Sequence, residues 1–162
     1  ILNKIFIDLG VETKFLNASE ILLSPIKKYK KPNNLSLNLI DSPDLAQTIA
    51  VTCMALKIPV EITGLQTLKI KETDRILALN NELTKFGAKI KFDDSSIVIY
   101  PPKEIKKNIN VETYNDHRMA LSLAPLGLIV PITINDPDVI TKSFPEYWNN
   151  LSQLGFNLKN LN

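Results

Sequence analysis

The sequence predicts an α/β fold of the α+β type, built by repeating one unit of helices and strands. Three observations predict it. An amphipathic helix ends at a glycine and runs into an alternating strand at Gly10, Gly87 and Gly155. The same order of helix, strand and helix leads up to the second and the third of these glycines. Finally, 44% of the 162 residues are apolar, an ordinary share for a globular core.

The first copy is a remnant. Residues 5–15 read as the end of a helix, Gly10, and a strand, with a second strand at Ile21-Leu22-Leu23. The glycines supply left-handed helix C-caps, and the alternation after them marks strands. The chain opens inside a helix, so it is expected to be a piece of a longer sequence. The run Lys27-Lys28-Tyr29-Lys30-Lys31-Pro32-Asn33-Asn34 is the most polar and reads as an exposed loop. A solvated surface outweighs a phosphate-binding role for it. The second copy has a helix from about Asp44 to Leu56, a strand at Val60–Thr63 and a helix from about Thr73 to Phe86. Gly87, a strand and a second strand at Ile97–Tyr100 complete it. The third has a helix from about His117 to Leu128, a strand near Ile132–Ile134, and a helix from about Pro145 to Leu154. Gly64 and Asp136-Pro137 punctuate the connections. The unit is helix–strand–helix–strand–strand, and stacked units of this kind share a core.

Bulk properties exclude several classes. A formal net charge of +2 is too small to point to nucleic acid. No apolar run is long enough for a membrane span, and no leader reads as a signal peptide. The one cysteine, Cys53, lies among Val51, Met54, Ala55 and Leu56 and reads as a buried small hydrophobe. A single cysteine forms no internal disulfide, which suits a reducing cytoplasm.

The chemistry-bearing residues gather at four helix starts: Asp41-Ser42-Pro43-Asp44, Lys71-Glu72-Thr73-Asp74-Arg75, Tyr114-Asn115-Asp116-His117-Arg118 and Lys142-Ser143-Phe144-Pro145-Glu146. Helix capping accounts for Asp41, Ser42, Thr73, Asp74, Asp116, Ser143 and Glu146, the last two as a capping box. It does not account for Arg75, Arg118 and Lys142, since a cation at a helix N-terminus costs a few tenths of a kcal/mol up to about 1. Two explanations remain open for these cations. One is a shared phosphate or carboxylate, which helix N-termini and arginine forks both favour; the other is salt bridges. Carboxylates beside such cations, as Asp44 and Glu72 would be, stay ionised and can take or pass a proton. The lone histidine, His117, reads as scaffold at least as readily as acid or base.

Four of these segments carry a resemblance. Lys71-Glu72-Thr73-Asp74-Arg75 is similar to the K-E-T-D-R signature of the EPSP synthase (3-phosphoshikimate 1-carboxyvinyltransferase) family. Tyr114-Asn115-Asp116-His117-Arg118 resembles its second signature, residues 41–48 its P-D-x-A-x-T segment, and residues 141–147 its K-[ST]-[FY]-P motif. The resemblance implies the family's inside-out α/β barrel, in which each of two domains holds three βαβαββ units. Residues 1–162 would be the C-terminal part of one domain, about two of its three repeats. The other domain would be absent, and the complete protein is expected to be a cytoplasmic monomer.

The implied reaction joins phosphoenolpyruvate to the 5-hydroxyl of shikimate 3-phosphate, on the way to aromatic amino acids, with no metal or organic cofactor. By motif, Asp44 would lie against the shikimate hydroxyls as base, and Lys71 would also contact shikimate 3-phosphate. Glu72 would move the proton of the methylene carbon. Arg75, Arg118 and Lys142 would hold phosphoenolpyruvate, Lys142 helping phosphate leave, and His117 would support Arg118. Two rivals are a sister family acting on UDP-N-acetylglucosamine, whose cysteine loop and usual motifs do not appear, and a non-catalytic anion-binding module. The second leaves the paired acids Asp44 and Glu72 unexplained.

Overall fold

The computed structural model describes residues 1–160. Helix α1 (Leu2–Asp8) leads into the hairpin β1 (Val11–Phe15) and β2 (Ile21–Pro25). The central copy runs β3 (Leu35–Asn38), α2 (Ala46–Ala55), β4 (Val60–Thr63), α3 (Arg75–Lys85), β5 (Lys89–Phe92) and β6 (Ile97–Tyr100). The last copy runs β7 (Ile109–Val111), α4 (His117–Leu123), β8 (Ile132–Ile134) and α5 (Tyr147–Gln153). Short 3₁₀ turns at Pro43–Leu45, Gln66–Ile70, Ala124–Leu128 and Pro137–Ile140 adjoin the helices.

The central copy is βαβαββ, one strand more than the pattern read from residues alone. Strands β3 and β7 open their copies and are three or four residues long, each the parallel partner of β4 or β8. The central sheet has the order β3-β4-β6-β5. Strands β3 and β4 are parallel, with Leu35 opposite Val60, and β6 runs antiparallel to β4. The parallel pair β7-β8 repeats β3-β4, and the antiparallel hairpin β1-β2 repeats β5-β6.

The core lies between the helices and the inner face of that sheet. Val60, Ile62, Ile97 and Ile99 meet Ile49, Met54, Leu79, Leu83 and Phe86, all almost fully buried. Helix α2 is buried nearly all round because α3 and α4 pack against it as well as the sheet. Gly10, Gly87 and Gly155 end α1, α3 and α5 with φ of +90°, +101° and +95°, the left-handed caps expected of them.

Three helix boundaries differ from expectation. Asp74 is extended and caps α3, accepting from Leu77 N at 3.0 Å, so the helix starts at Arg75. Pro125 has no N–H for the Leu121 carbonyl, so α4 passes into a 3₁₀ turn. That carbonyl instead accepts the Tyr147 hydroxyl at 3.0 Å. The Ser143–Glu146 capping box does not form. Ser143 and Phe144 donate their N–H groups to Ile140 in a turn, and α5 begins only at Tyr147. The loop 27–34 is exposed at its lysines, while Tyr29 folds back and donates to Asp8 O at 3.0 Å.

Among the described residues no helix is long and apolar enough to cross a membrane. Cys53 is free and buried, and burial pushes its thiol from 9.0 up to about 12. Burial likewise pushes the Tyr147 phenol from 10.0 up to about 12. Both groups are held protonated by folding. Their stabilisation is complete below the unfolded values and is lost as pH rises toward 12. The urea midpoint is therefore expected to fall steadily above about pH 9, with Cys53 unreactive to a thiol reagent until the chain unfolds. A midpoint constant to pH 11, or rapid native labelling, would contradict this.

Candidate active site

All four charged segments follow the carboxyl ends of the parallel strands β3, β4, β7 and β8. In parallel sheets the loops at that edge are where ligands bind. Pairing β3 with β4 sets the Asp44 turn beside the Lys71–Arg75 turn, and packing α4 against α2 and α3 brings up Asp116 and Arg118.

Arg75 is the centre of the assembly. Its side chain is only 2% exposed and faces three carboxylates. Nε donates to Asp116 Oδ2 at 2.7 Å and Nη2 to Asp116 Oδ1 at 3.3 Å. Nη1 donates to Asp44 at 2.8 Å, and Nη2 to Glu72 at 2.6 Å. A buried guanidinium is tolerable only when paired and hydrogen-bonded in this way. Asp116 is fully buried, whereas Asp44 and Glu72 are 38% and 45% exposed. The cluster thus grades from a dry floor to an open rim.

The rim carries the other cations. Arg118 Nη2 lies 3.3 Å from Asp44 Oδ2, and Nη1 donates to the Asp44 carbonyl at 3.3 Å. Lys71 Nζ lies 3.6 Å from Asp44 Oδ1. Three cations and three carboxylates therefore share one site, with Asp44 touching all three cations. Ser42 Oγ, the Gln47 amide and Thr113 Oγ1 are buried with no hydrogen-bond partner among the described residues, each within three residues of a member of the cluster.

The structure brings together five expected residues: Asp44, Lys71, Glu72, Arg75 and Arg118. His117 opens α4 with Nδ1 4.0 Å from Asp116 Oδ1, at the edge of the cluster. Lys142 is not at a helix start; it is exposed on the turn before α5 and takes part in none of the ion pairs found among the described residues. The compensating charge on Arg75 is the protein's own, so salt bridging does explain that residue's placement. Asp116 is more than the cap expected of it. It does cap α4, accepting from Arg118 N at 2.8 Å, but it is also the buried partner of Arg75. No local signal distinguishes such an acid from an ordinary cap. Among the described residues no group of three or more His, Cys, Asp or Glu side chains is arranged to hold a metal ion.

The EPSP synthase (3-phosphoshikimate 1-carboxyvinyltransferase) family model matches residues 1–151. The chain belongs to that family. It is 40% identical over 159 residues to a 3-phosphoshikimate 1-carboxyvinyltransferase of Bacteroides fragilis, covering 96% of this chain and 38% of the relative. A Paraburkholderia phymatum protein of the same description is 41% identical over 119 residues, covering 72% of this chain and 27% of its own. The chain thus spans well under half the length of these family members.

Two solved structures share the fold. EPSP synthase from Acinetobacter baumannii superposes with a TM-score of 0.76 at 20% identity, over 96% of this chain and 39% of that one. The enolpyruvyl transferase NikO from Streptomyces tendae gives 0.68 at 15% identity, over 98% and 36%. The fold is that of the enolpyruvyl transferases, mixed α/β as expected. The family match includes the first 40 residues, which the four motifs left uncovered.

Proposed function

We propose that this chain forms one wall of an active site transferring the enolpyruvyl group of phosphoenolpyruvate to shikimate 3-phosphate. The observation that carries the reading is the pair Asp44 and Glu72, held by one buried guanidinium at the rim of the charged cluster. A site for binding alone has no use for two half-exposed acids beside Lys71 and Arg118.

In the proposed reaction Asp44 takes the proton of the 5-hydroxyl as its oxygen bonds to C2 of phosphoenolpyruvate, and Glu72, which takes up a proton from solvent as the substrates bind, delivers it to C3. In the second half Glu72 takes a proton back from the methyl group and returns it to solvent as the C2–O bond to phosphate breaks. Lys142 protonates the leaving phosphate and is recharged by the proton that Asp44 took and releases to solvent. The products are the enolpyruvyl ether and phosphate. Arg118 and Lys142 hold the phosphate and carboxylate of phosphoenolpyruvate, and Lys71 contacts shikimate 3-phosphate. Arg75 offers its remaining Nη1 N–H to phosphoenolpyruvate while it fixes both acids. His117 supports Arg118. Positioning and charge stabilisation carry most of the rate, without metal or organic cofactor.

Lys142 is the member farthest from its expected setting. Support for its role comes from Tyr147, which ties the end of its turn to α4, the helix that carries Arg118. The same reading makes the chain about two of three repeats of one domain, completed by a second domain in a cytoplasmic monomer.

A chimera tests it. The matching segment of the Bacteroides fragilis relative is replaced by these residues, and phosphate release is followed with both substrates present. Release is expected, falling at least about 100-fold in Glu72→Gln, the scale of a lost acid–base group. A folded chimera that releases no phosphate, or one that is no faster than its Glu72→Gln variant, overturns the proposal. The 162-residue chain alone is expected to show no turnover.

A further inference from the structure

We infer that Tyr114 and Glu82 are positioning residues, whose hydrogen bond, buried at its Glu82 end, holds the turn before α4 so that Asp116 meets Arg75 and Arg118 meets Asp44. The turn needs holding. Tyr114 and Asn115 both adopt left-handed backbone, with φ of +56° and +54°. Asparagine tolerates that region, but tyrosine seldom enters it. Such a conformation persists only where the surroundings over-determine it.

Glu82 does so. It is fully buried on α3 and accepts the Tyr114 hydroxyl at 2.7 Å on one oxygen. Its other oxygen accepts the Glu112 N–H at 3.2 Å and Lys85 Nζ at 2.8 Å, and Lys85 also donates to the Asn110 carbonyl at 3.0 Å. One carboxylate therefore grips the end of β7 and the turn beyond it. Burial first, and the bond to Glu82 second, push the phenol up to about 12, so it remains a donor at neutral pH.

The far end of the turn is gripped from the same helix. Arg75, at the start of α3, binds Asp116, and Glu82 lies about two helical turns further on. Helix α3 thus mounts the turn at two points, Tyr114 and Asp116, and the Asp116 N–H closes it onto Thr113 O at 2.9 Å. A buried acid kept only for stability would be better replaced by an apolar side chain. Its donors all belong to the turn, to the strand before it, or to the lysine that ties that strand down.

This placement stands without the proposed reaction; only its consequence for turnover rests on that reading. His117 is the chain's one histidine and follows the turn directly, so its imidazole Cε1–H resonance reports the turn's shape. Tyr114→Phe in the 162-residue chain is expected to shift or broaden that resonance. It should also speed exchange of the Asp116 and Arg118 amides by about tenfold, the scale of one lost hydrogen bond. Glu82→Gln keeps one acceptor for Tyr114 but turns an amide NH2 toward the Glu112 N–H and Lys85 Nζ, so it should also speed exchange at the turn by more than about threefold. Ile99→Val, a core change with no link to the turn, should lower the melting temperature and leave both signals unmoved.

An unshifted His117 resonance in Tyr114→Phe, with exchange changed less than about threefold, overturns the inference. So does a Glu82→Gln turn as well protected as the parent's, or an equal response in Ile99→Val. If Glu82→Gln fails to fold, the Tyr114→Phe and Ile99→Val arms decide. In the chimera Tyr114→Phe should lower kcat more than it raises KM. A chimera inactive from the outset would count against the reaction alone and leave the resonance test standing.

Discussion

Replacing Arg75 with methionine is expected to destabilise the chain by about 3–5 kcal/mol, the usual cost of removing one partner from a buried ion pair. Most of that loss should come through Asp116, which has no exposed surface and would be left as an unpaired buried carboxylate. Asp44 and Glu72 are more than a third exposed and would be rehydrated, so their share is small. For a chain of this length the melting temperature should drop on the order of 10 °C. Arg75→Lys should recover little, because one ammonium cannot present the planar fork that reaches three carboxylates. Adding Asp116→Leu to Arg75→Met should restore part of the loss by removing the stranded charge, less about 1 kcal/mol for the α4 cap. Urea midpoints of the four proteins decide the matter. A loss below about 1 kcal/mol in Arg75→Met would mean that the cluster behaves as a solvent-screened surface network.

The second large effect is expected from Gly64→Ala, at about 2–5 kcal/mol, the sum of a backbone and a packing cost. Gly64 follows β4 with φ +79°, where an alanine pays about 1–2 kcal/mol in backbone strain. An added Cβ would also stand 2.5 Å from Ile40 N and 2.6 Å from Asn38 Oδ1. The first of these is backbone and must move, which adds about 1–3 kcal/mol of overpacking. The neighbour matters for function too, since the chain from Ile40 leads into the Asp44 turn. Gly155→Ala is the control. Its φ is +95°, but an added Cβ meets nothing within 4 Å, so it should show the backbone term alone. Equal losses in the two variants would show that the close approach at Gly64 contributes nothing.

The parts of the fold legible in the sequence are those whose cause is local. A helix that ends at glycine announces itself over a short stretch, and the glycine caps are present at all three junctions; the expected strand follows Gly10 and Gly87, but residues 156–160 after Gly155 form none. Cys53 is buried as its apolar neighbours implied. The strands that escaped, β3 and β7, exist because β4 and β8 offer parallel partners. The capping box at Ser143 failed for the opposite reason. Its local signal was present, but the turn around Ile140 and the anchoring of Tyr147 to Leu121 hold those residues outside the helix.

For the site, residue types at helix starts pointed to Asp44, Glu72, Arg75, Arg118 and Lys142 as one charged group; the structure gathers the first four with Lys71 and leaves Lys142 exposed outside them. What the sequence by itself determined was the repeat, its glycine caps, and which short segments carry charge. Only the tertiary structure decided which acid faces which cation. Arg75 meets Asp44 and Asp116 across 31 and 41 residues of chain, and Arg118 meets the Asp44 backbone across 74. No local rule reaches that far. Those separations close because two parallel strand pairs present their carboxyl ends together and α4 packs on α2 and α3. That packing buries Asp116 beneath Arg75, and with it the difference between a helix cap and the floor of a site.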